Sequence, residues 1–372
     1  MGTSLLDDRQ AAAGIVTQFY SSNAWIEGRA EDQLQHVSGW AGVSRIAAFP
    51  DLHPGKLGPV GCAVLADRVY PQLIGSDIGC GMALFALDLP VRKLKLDKAV
   101  RRIRVLGEPL DEAPRARLEA LGLPGDLFAE ALGTIGGGNH FCELQALADV
   151  DAGCDLDGSR ALLLVHSGSR GLGAATLNAL PQGAFAGLTG EAEAAYVAAH
   201  DQAVTWARLN RQIIAERAAE ALRVDLQPLV DVPHNLLARM PEGWLHRKGA
   251  AEATAPLVPI AGTRATQSYL VAPLGAEGAL ASLAHGAGRR YDRASMHGRV
   301  RGKKSDLAAM GRNAFGGRLV CEDKDLLIEE APQAYKSAEA VVADLEALGV
   351  ARRRAALTPL LTFKKTRAEG LS

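Results

Sequence analysis

The chain has 372 residues, with 41 Lys and Arg against 42 Asp and Glu, a formal net charge of −1, and 48% hydrophobic residues. That balance excludes a protein that coats nucleic acid by bulk charge, and the hydrophobic content excludes a disordered chain. No apolar run is long enough for a membrane helix, Met1–Asp8 lacks the charged-then-apolar plan of a signal peptide, and five cysteines without paired spacing argue against a disulfide framework. A cytoplasmic protein is expected.

Aromatics make up only 5% while glycine numbers 40, which suits an alanine-rich α+β enzyme with much loop. In chain order, the short apolar runs Val60–Ala66 and Met82–Leu87 predict buried strands. Asp97–Leu106 and Glu112–Leu121 predict helices, and Ala161–Val165 predicts a strand leading into His166. The clearest helix runs from Glu191 to Leu222, with Ala, Leu, Ile and Trp at helical spacing and Arg208, Arg211 and Arg217 among its polar positions. His200 and Trp206 fall inside it and read as packing or surface residues. Ser268–Val271 predicts a further strand and Pro332–Leu348 a further helix. No repeat, low-complexity tract or long linker interrupts the chain. Because the chemical motifs run from Asp51 to Lys364, one integrated domain over 1–372 is expected in place of the two or three that length suggests.

Five histidines stand in helix-poor segments: His53, His140 after Gly136-Gly-Gly-Asn, His166 before Ser-Gly-Ser-Arg170, His234 after Pro233, and His285 before Gly-Ala-Gly288. Among them, Asp77 and Cys80 share a glycine-bounded turn that can aim both side chains at one point. Imidazole, carboxylate and thiolate hold transition metals, and neighbouring glycines let backbone N–H groups approach a phosphate. Each motif alone is equally a plain turn; together they point to a metal site that handles phosphates. Cys62, Cys142, Cys154 and Cys321 read as small buried or incidental residues. Three basic clusters, Arg289–Lys304, Arg352–Arg354 and Lys364–Arg367, fit either a solvated face or a phosphate-backbone track.

Phe49-Pro-Asp-Leu-His53, Gly75-Ser-Asp-Ile-Gly-Cys-Gly-Met82, Gly136–Phe141 with Glu143, His166–Gly173, His234-Asn235, Gly262-Thr263, Ser268-Tyr269, His285–Arg289, Ala331–Lys336 and Lys364 stand in an order that resembles the RtcB family of RNA ligases. The short length and the wording Asp51–Val60 look most like its bacterial branch coupled to peptide chain release factor H. The resemblance implies an RtcB-like α+β domain, with central β-sheets carrying the site and peripheral helices. It also implies a reaction in which GTP and two Mn²⁺ ions join an RNA 3′-phosphate or 2′,3′-cyclic phosphate to a 5′-hydroxyl through a guanylyl-histidine.

Carried over by motif, Asp77, Cys80 and His140 would hold one ion, with Cys80, His166 and His234 holding the second. His285 would be the nucleophile, and Asp51 and His53 its support. The guanylate would meet Asn139, His140, Phe141, Cys142, Glu143, His234, Asn235, Ala261, Gly262, Thr263, Arg264, Ser268, His285, Gly286, Ala287, Gly288 and Lys364, with Glu143 and Lys364 reading the guanine edge. Ala261-Gly-Thr-Arg-Ala265 departs from the family's usual loop and adds a charge there, and Gly55-Lys-Leu-Gly58 inserts a leucine in the first motif. Two other classes fit parts of the pattern. A dinuclear phosphoesterase would need the metal ligands but not His285 or Lys364, and an inert RNA- or ribosome-binding factor would need only the basic clusters.

Overall fold

The computed structural model describes residues 13–300 and 310–366. Arg301, Lys303, Lys304 and Arg367, members of the basic clusters, lie outside the described residues. The first part of the chain forms β1 (Ile15–Gln18), α1 (Gly28–Ser38), β2 (Val43–His53), β3 (Val60–Ala66), β4 (Gly81–Pro90), α2 (Leu96–Ile103) and α3 (Arg115–Ala120). The middle forms β5 (Phe141–Ala148), β6 (Arg160–Ser167), α4 (Gly171–Asn178), α5 (Gly190–Leu222), β7 (Leu226–Pro233), β8 (Asn235–Met240), β9 (Gly243–Lys248) and β10 (Ala250–Glu252). Then come β11 (Val258–Ile260), β12 (Ser268–Pro273), β13 (Ser282–Ala284), α6 (Arg293–Arg299), β14 (Arg318–Cys321), α7 (Lys324–Glu329), α8 (Ala338–Ala347) and β15 (Ala351–Lys365).

The larger sheet runs β11-β12-β15-β5-β6-β4-β7, with β14 added to β15, and a smaller one runs β1-β2-β3-β9-β8. Strand β6 shows why its sequence is a continuous apolar run. Leu163 and Val165 face a cluster that includes Ile214, Ala215 and Ala218 of α5, while Leu162 and Leu164 face a second cluster with Leu270 of β12 and Leu357 of β15. Both faces are therefore buried, and each such leucine contributes about 1.5–3 kcal/mol. The sheet curls far enough for its two ends, β11 and β7, to touch, giving a nearly closed barrel in a mixed α/β fold.

Helix α5 spans the expected segment, with His200 and Trp206 both buried in it. The His200 ring accepts from the Leu237 N–H, and the Trp206 indole donates to the Leu127 carbonyl, so both serve packing. The helix expected over Pro332–Leu348 is shorter. A 3-10 turn at Pro332–Ala334 precedes an extended Tyr335, and Ser337, also extended, then caps α8 by accepting from the Ala340 N–H. The break arises because the Lys336 N–H donates to Gly288 and Tyr335 pairs with Arg289, bonds unavailable to a continuous helix. No helix among the described residues is long and apolar enough to cross a membrane.

Candidate active site

The three strands β4, β6 and β7 place their site ends together. Gly81 pairs with Ser167 on one side and with Pro233 on the other, so Cys80, His166 and His234 emerge side by side. Phe141 pairs with His166, which brings His140 to the same end. The Asp77–Cys80 turn is drawn against α5, where Gly79 at φ +71° has no room for a Cβ beside Val204. Arg211 of α5 then ties the turn to β6. Its guanidinium is fully buried and donates to the carbonyls of Gly79 (2.7 Å) and Ser167 (2.8 Å) and to both oxygens of Asp231.

Cys80 Sγ lies 3.3 Å from His140 Nε2 and 3.2 Å from His166 Nε2; His166 Nε2 lies 3.3 Å from His234 Nε2, and His140 Nε2 lies 2.9 Å from Asp77 Oδ2. Two groups of potential ligands result, Asp77–Cys80–His140 and Cys80–His166–His234, sharing the thiol. Burial pushes the Cys80 thiol well above its ordinary range, reinforced by Asp77, and pushes His166 and His234 well below theirs. Burial also opposes ionisation of Asp77, but His140 and a hydrogen bond from Cys80 outweigh it and hold that carboxyl low. Facing lone pairs on buried, neutral imidazoles are poorly satisfied by one another, whereas a borderline-soft cation fits this mixed N, O and S donor set.

His285 follows β13, with its ring centre 4.5 Å from that of His234. Its Nδ1 is 2.7 Å from Asp51 Oδ2 and 2.7 Å from the Gly249 carbonyl, and its backbone N–H donates to the same carboxylate oxygen. Two acceptors at Nδ1 select the tautomer of the neutral ring that carries its proton there, with the lone pair on Nε2. Asp51 is fully buried, and Gly288 passes so close to its backbone that a Cβ would overlap the Asp51 carbonyl. His53 donates from Nδ1 to the Asp51 carbonyl, and burial pushes its pKa down to about 4.

His53, Asp77, Cys80, His166, His234 and His285, but not His140 or Asp51, open on a cavity of about 640 Å³ that is also lined by Asn139, Phe141, Glu143, Asn235, Ala261, Gly262, Thr263, Arg264, Gly286, Ala287, Gly288 and Lys364. Glu143 is buried, accepts from Gln145 and Thr362, and has its pKa pushed up to about 7 by burial. Burial likewise pushes the Lys364 ammonium down. Alternation along β5 turns Cys142 away from the cavity into the apolar core, so only its backbone could meet a ligand. The Ser268 hydroxyl accepts from the Gly262 N–H and braces the loop. Arg264 donates to the carbonyls of Leu327 and Glu330, so the extra charge of this loop caps the end of α7.

Several participants escape sequence reasoning. Glu330, buried, holds Arg289 (3.0 Å), Arg293 (3.2 Å) and Tyr335 at the cavity wall; burial would raise its carboxyl, but the Lys364 charge, followed by those three partners, holds it down at about 2. Lys336 donates to the carbonyls of Pro50 (3.0 Å) and Leu52 (2.6 Å), on either side of Asp51. Arg211 had a legible signal, since it falls on the helical stripe of Ala207, Ile214 and Ala218 where an apolar residue is expected.

A buried N, O and S cluster that could hold metal ions, beside a backbone-supported histidine at one end of a curled sheet, has the make-up of an enzyme site. The family model described as tRNA-splicing ligase RtcB matches residues 33–114 and 126–365. The chain is 40% identical over 365 residues to RNA-splicing ligase RtcB2 of Escherichia coli, covering 93% of this chain and 94% of that protein. It is 28% identical to RNA-splicing ligase RtcB of Mycobacterium tuberculosis (88% and 99% covered) and 27% identical to tRNA-splicing ligase RtcB of Archaeoglobus fulgidus (90% and 91%). The chain belongs to the RtcB family of ligases, and it is an enzyme.

Proposed function

We propose that this protein is a GTP-dependent RNA ligase that joins a 3′-phosphate or 2′,3′-cyclic phosphate end to a 5′-hydroxyl end through a guanylylated His285. The observation that carries this reading is the support of His285, which lines the cavity: Asp51 and Gly249 both accept at Nδ1, so that in the neutral ring the lone pair is on Nε2. Nε2 attacks the α-phosphorus of GTP, the P–N bond forms as the bond to the β-phosphate oxygen breaks, and pyrophosphate leaves. An oxygen of the RNA 3′-phosphate then takes the guanylyl group from Nε2, and the 5′-hydroxyl attacks that activated phosphate and releases GMP. A cyclic phosphate is first opened by water.

Asp77, Cys80 and His140 would hold one Mn²⁺ ion, and Cys80, His166 and His234 the other. When bound, the ions supply positive charge to the phosphate oxygens at both ends of an in-line displacement. Glu143 accepts from the guanine N–H donors and Lys364 donates to its acceptor atoms, both from the wall of the same cavity. Asn139, Phe141, Asn235 and the 261–264 and 286–288 backbones surround the rest of the guanylate. We assign the chain as one integrated domain acting in cytoplasmic RNA repair, with coupling to peptide chain release factor H.

The test is incubation of the purified protein with Mn²⁺ and α-labelled GTP, followed by peptide mapping. Label on His285, absent from His285→Ala, is expected, together with sealing of 3′-phosphate to 5′-hydroxyl ends and none of 3′-hydroxyl to 5′-phosphate ends. Phosphoester cleavage without label would instead favour the dinuclear phosphoesterase, and label on Lys364 would overturn the nucleophile.

A further inference from the structure

Beside the cavity mouth, aromatic rings and cations alternate. The Arg290 guanidinium carbon lies 5.5 Å from the ring centre of Trp25 and 5.5 Å from that of Tyr291, and Arg299 lies 3.9 Å over Tyr291. Lys336 approaches Trp25 at 5.7 Å with the same ammonium that holds Pro50 and Leu52 around Asp51. Trp25 thus sits one lysine length from the support of His285. The segment it belongs to leads into α1, whose Gln33 exchanges two hydrogen bonds with Gly55 on the cavity rim. Trp25 keeps 39% of its surface exposed, and Tyr291 beside it is only partly buried.

Asp292 and Glu27 are the nearest acids in sequence. The Asp292 carboxylate is engaged as the cap of α6, accepting from the Ser295 N–H. A flat, exposed indole flanked by Arg290 and Arg299, for which no carboxylate partner is found among the described residues, is the arrangement that binds an unpaired nucleobase and its phosphates, because every base offers a π face and the cations take the backbone. Packing alone gives no reason to leave this ring in water.

We propose that Trp25 is a stacking platform for an unpaired base of the RNA close to the end being joined, with Arg290 and Arg299 contacting its phosphates. This rests on the ligase reading above. The base can belong to the strand that brings the 3′-phosphate or to the one that brings the 5′-hydroxyl, and the stacking chemistry is the same for both.

The experiment measures binding of the full chain to three RNA probes by anisotropy: a single strand ending in 3′-phosphate, a single strand starting with 5′-hydroxyl and blocked at its 3′ end, and a blunt duplex. Wild type is compared with Trp25→Phe, which keeps a ring, and with Trp25→Ala and Trp25→Leu, which do not. Self-labelling with GTP serves as the folding control, and Trp25→Leu keeps apolar bulk should the alanine variant fail it. Loss of the ring should weaken one single strand by roughly 5- to 150-fold, with Trp25→Phe close to wild type and the duplex unaffected. The strand that loses affinity identifies the end. Arg290→Ala should lower the salt slope of log affinity for that strand by roughly 0.7. Wild-type binding of both single strands by Trp25→Leu, or equal weakening on the duplex, overturns the platform while leaving an active ligase intact. A wild-type protein that seals no RNA ends overturns the ligase reading and the platform with it.

Discussion

Replacing Asp51 by Asn keeps the shape of the side chain and removes its charge, and the structure sets the size of the effect. His285 Nδ1 has two acceptors at 2.7 Å, the Asp51 carboxylate and the Gly249 carbonyl. An Asn amide that donated to Nδ1 would move the ring proton to Nε2, and such a wrong tautomer lowers a histidine-dependent rate by roughly 10⁴. Gly249 opposes that flip, because a backbone carbonyl can only accept and mutation at position 51 does not remove it. What remains is the loss of one hydrogen bond to a charged group, about 1.5–3 kcal/mol, or roughly 10- to 150-fold. The assay is the single-turnover rate of label transfer from GTP to the protein at saturating Mn²⁺, with thermal unfolding as the folding control. An unchanged rate would refute a supporting role for Asp51, and a loss near four powers of ten would refute the tautomer role given to Gly249.

Three further outcomes follow from the site. Cys80→Ala removes the one side chain common to both ligand groups, so it should abolish both bound ions by elemental analysis and also self-labelling, with the circular dichroism unchanged; two retained ions would refute the shared thiol. Glu143 has its folded pKa raised from 4.5 to about 7, so its protonated form favours the folded state: its contribution is complete below about pH 4.5 and is lost as pH rises through about 7. Without nucleotide, the stability advantage of Glu143→Gln over wild type should therefore grow between those pH values, and a constant difference would refute the buried-carboxyl account. Arg211→Met strips donors from Gly79 and Ser167, but Asp231 keeps 28% exposure, so a loss of about 3 kcal/mol in urea unfolding is expected rather than the upper value of about 5, and a change below about 0.5 would refute its bracing role.

The legible parts of the fold were those whose cause is local. Ala161–Val165 reads as a strand because both its faces are buried, and α5 reads as a helix from its spacing over many turns. Short strands such as β10, β13 and β14 are fixed by partners far away in sequence, which no window of residues contains. The helix break at Tyr335–Lys336 has the same origin, since its cause is Gly288 and Arg289. Within the cavity, glycine-rich motifs marked the backbone turns, and residue type marked the ligands. Most of the second ring of contacts was hidden because Glu330 and Lys336 are ordinary charged residues in sequence, and only burial gives them meaning, whereas Arg211 showed itself as a charge on an apolar helical stripe. Arg264 was read as a charge added to the ligand loop, yet its guanidinium is spent on carbonyls of α7.

Strand β15 lies between β12 and β5 in the larger sheet and carries Lys364 near its end. During synthesis β5 and β12 leave the ribosome well before β15 exists, so the nascent chain holds two open apolar edges with no partner for either. The sheet can curl, and its two ends can meet, only after nearly the whole barrel has been translated. A prematurely terminated chain therefore has every ligand histidine and His285 but no strand to hold β5 in register, and such fragments are expected to be substrates for chaperones and proteases rather than partial enzymes.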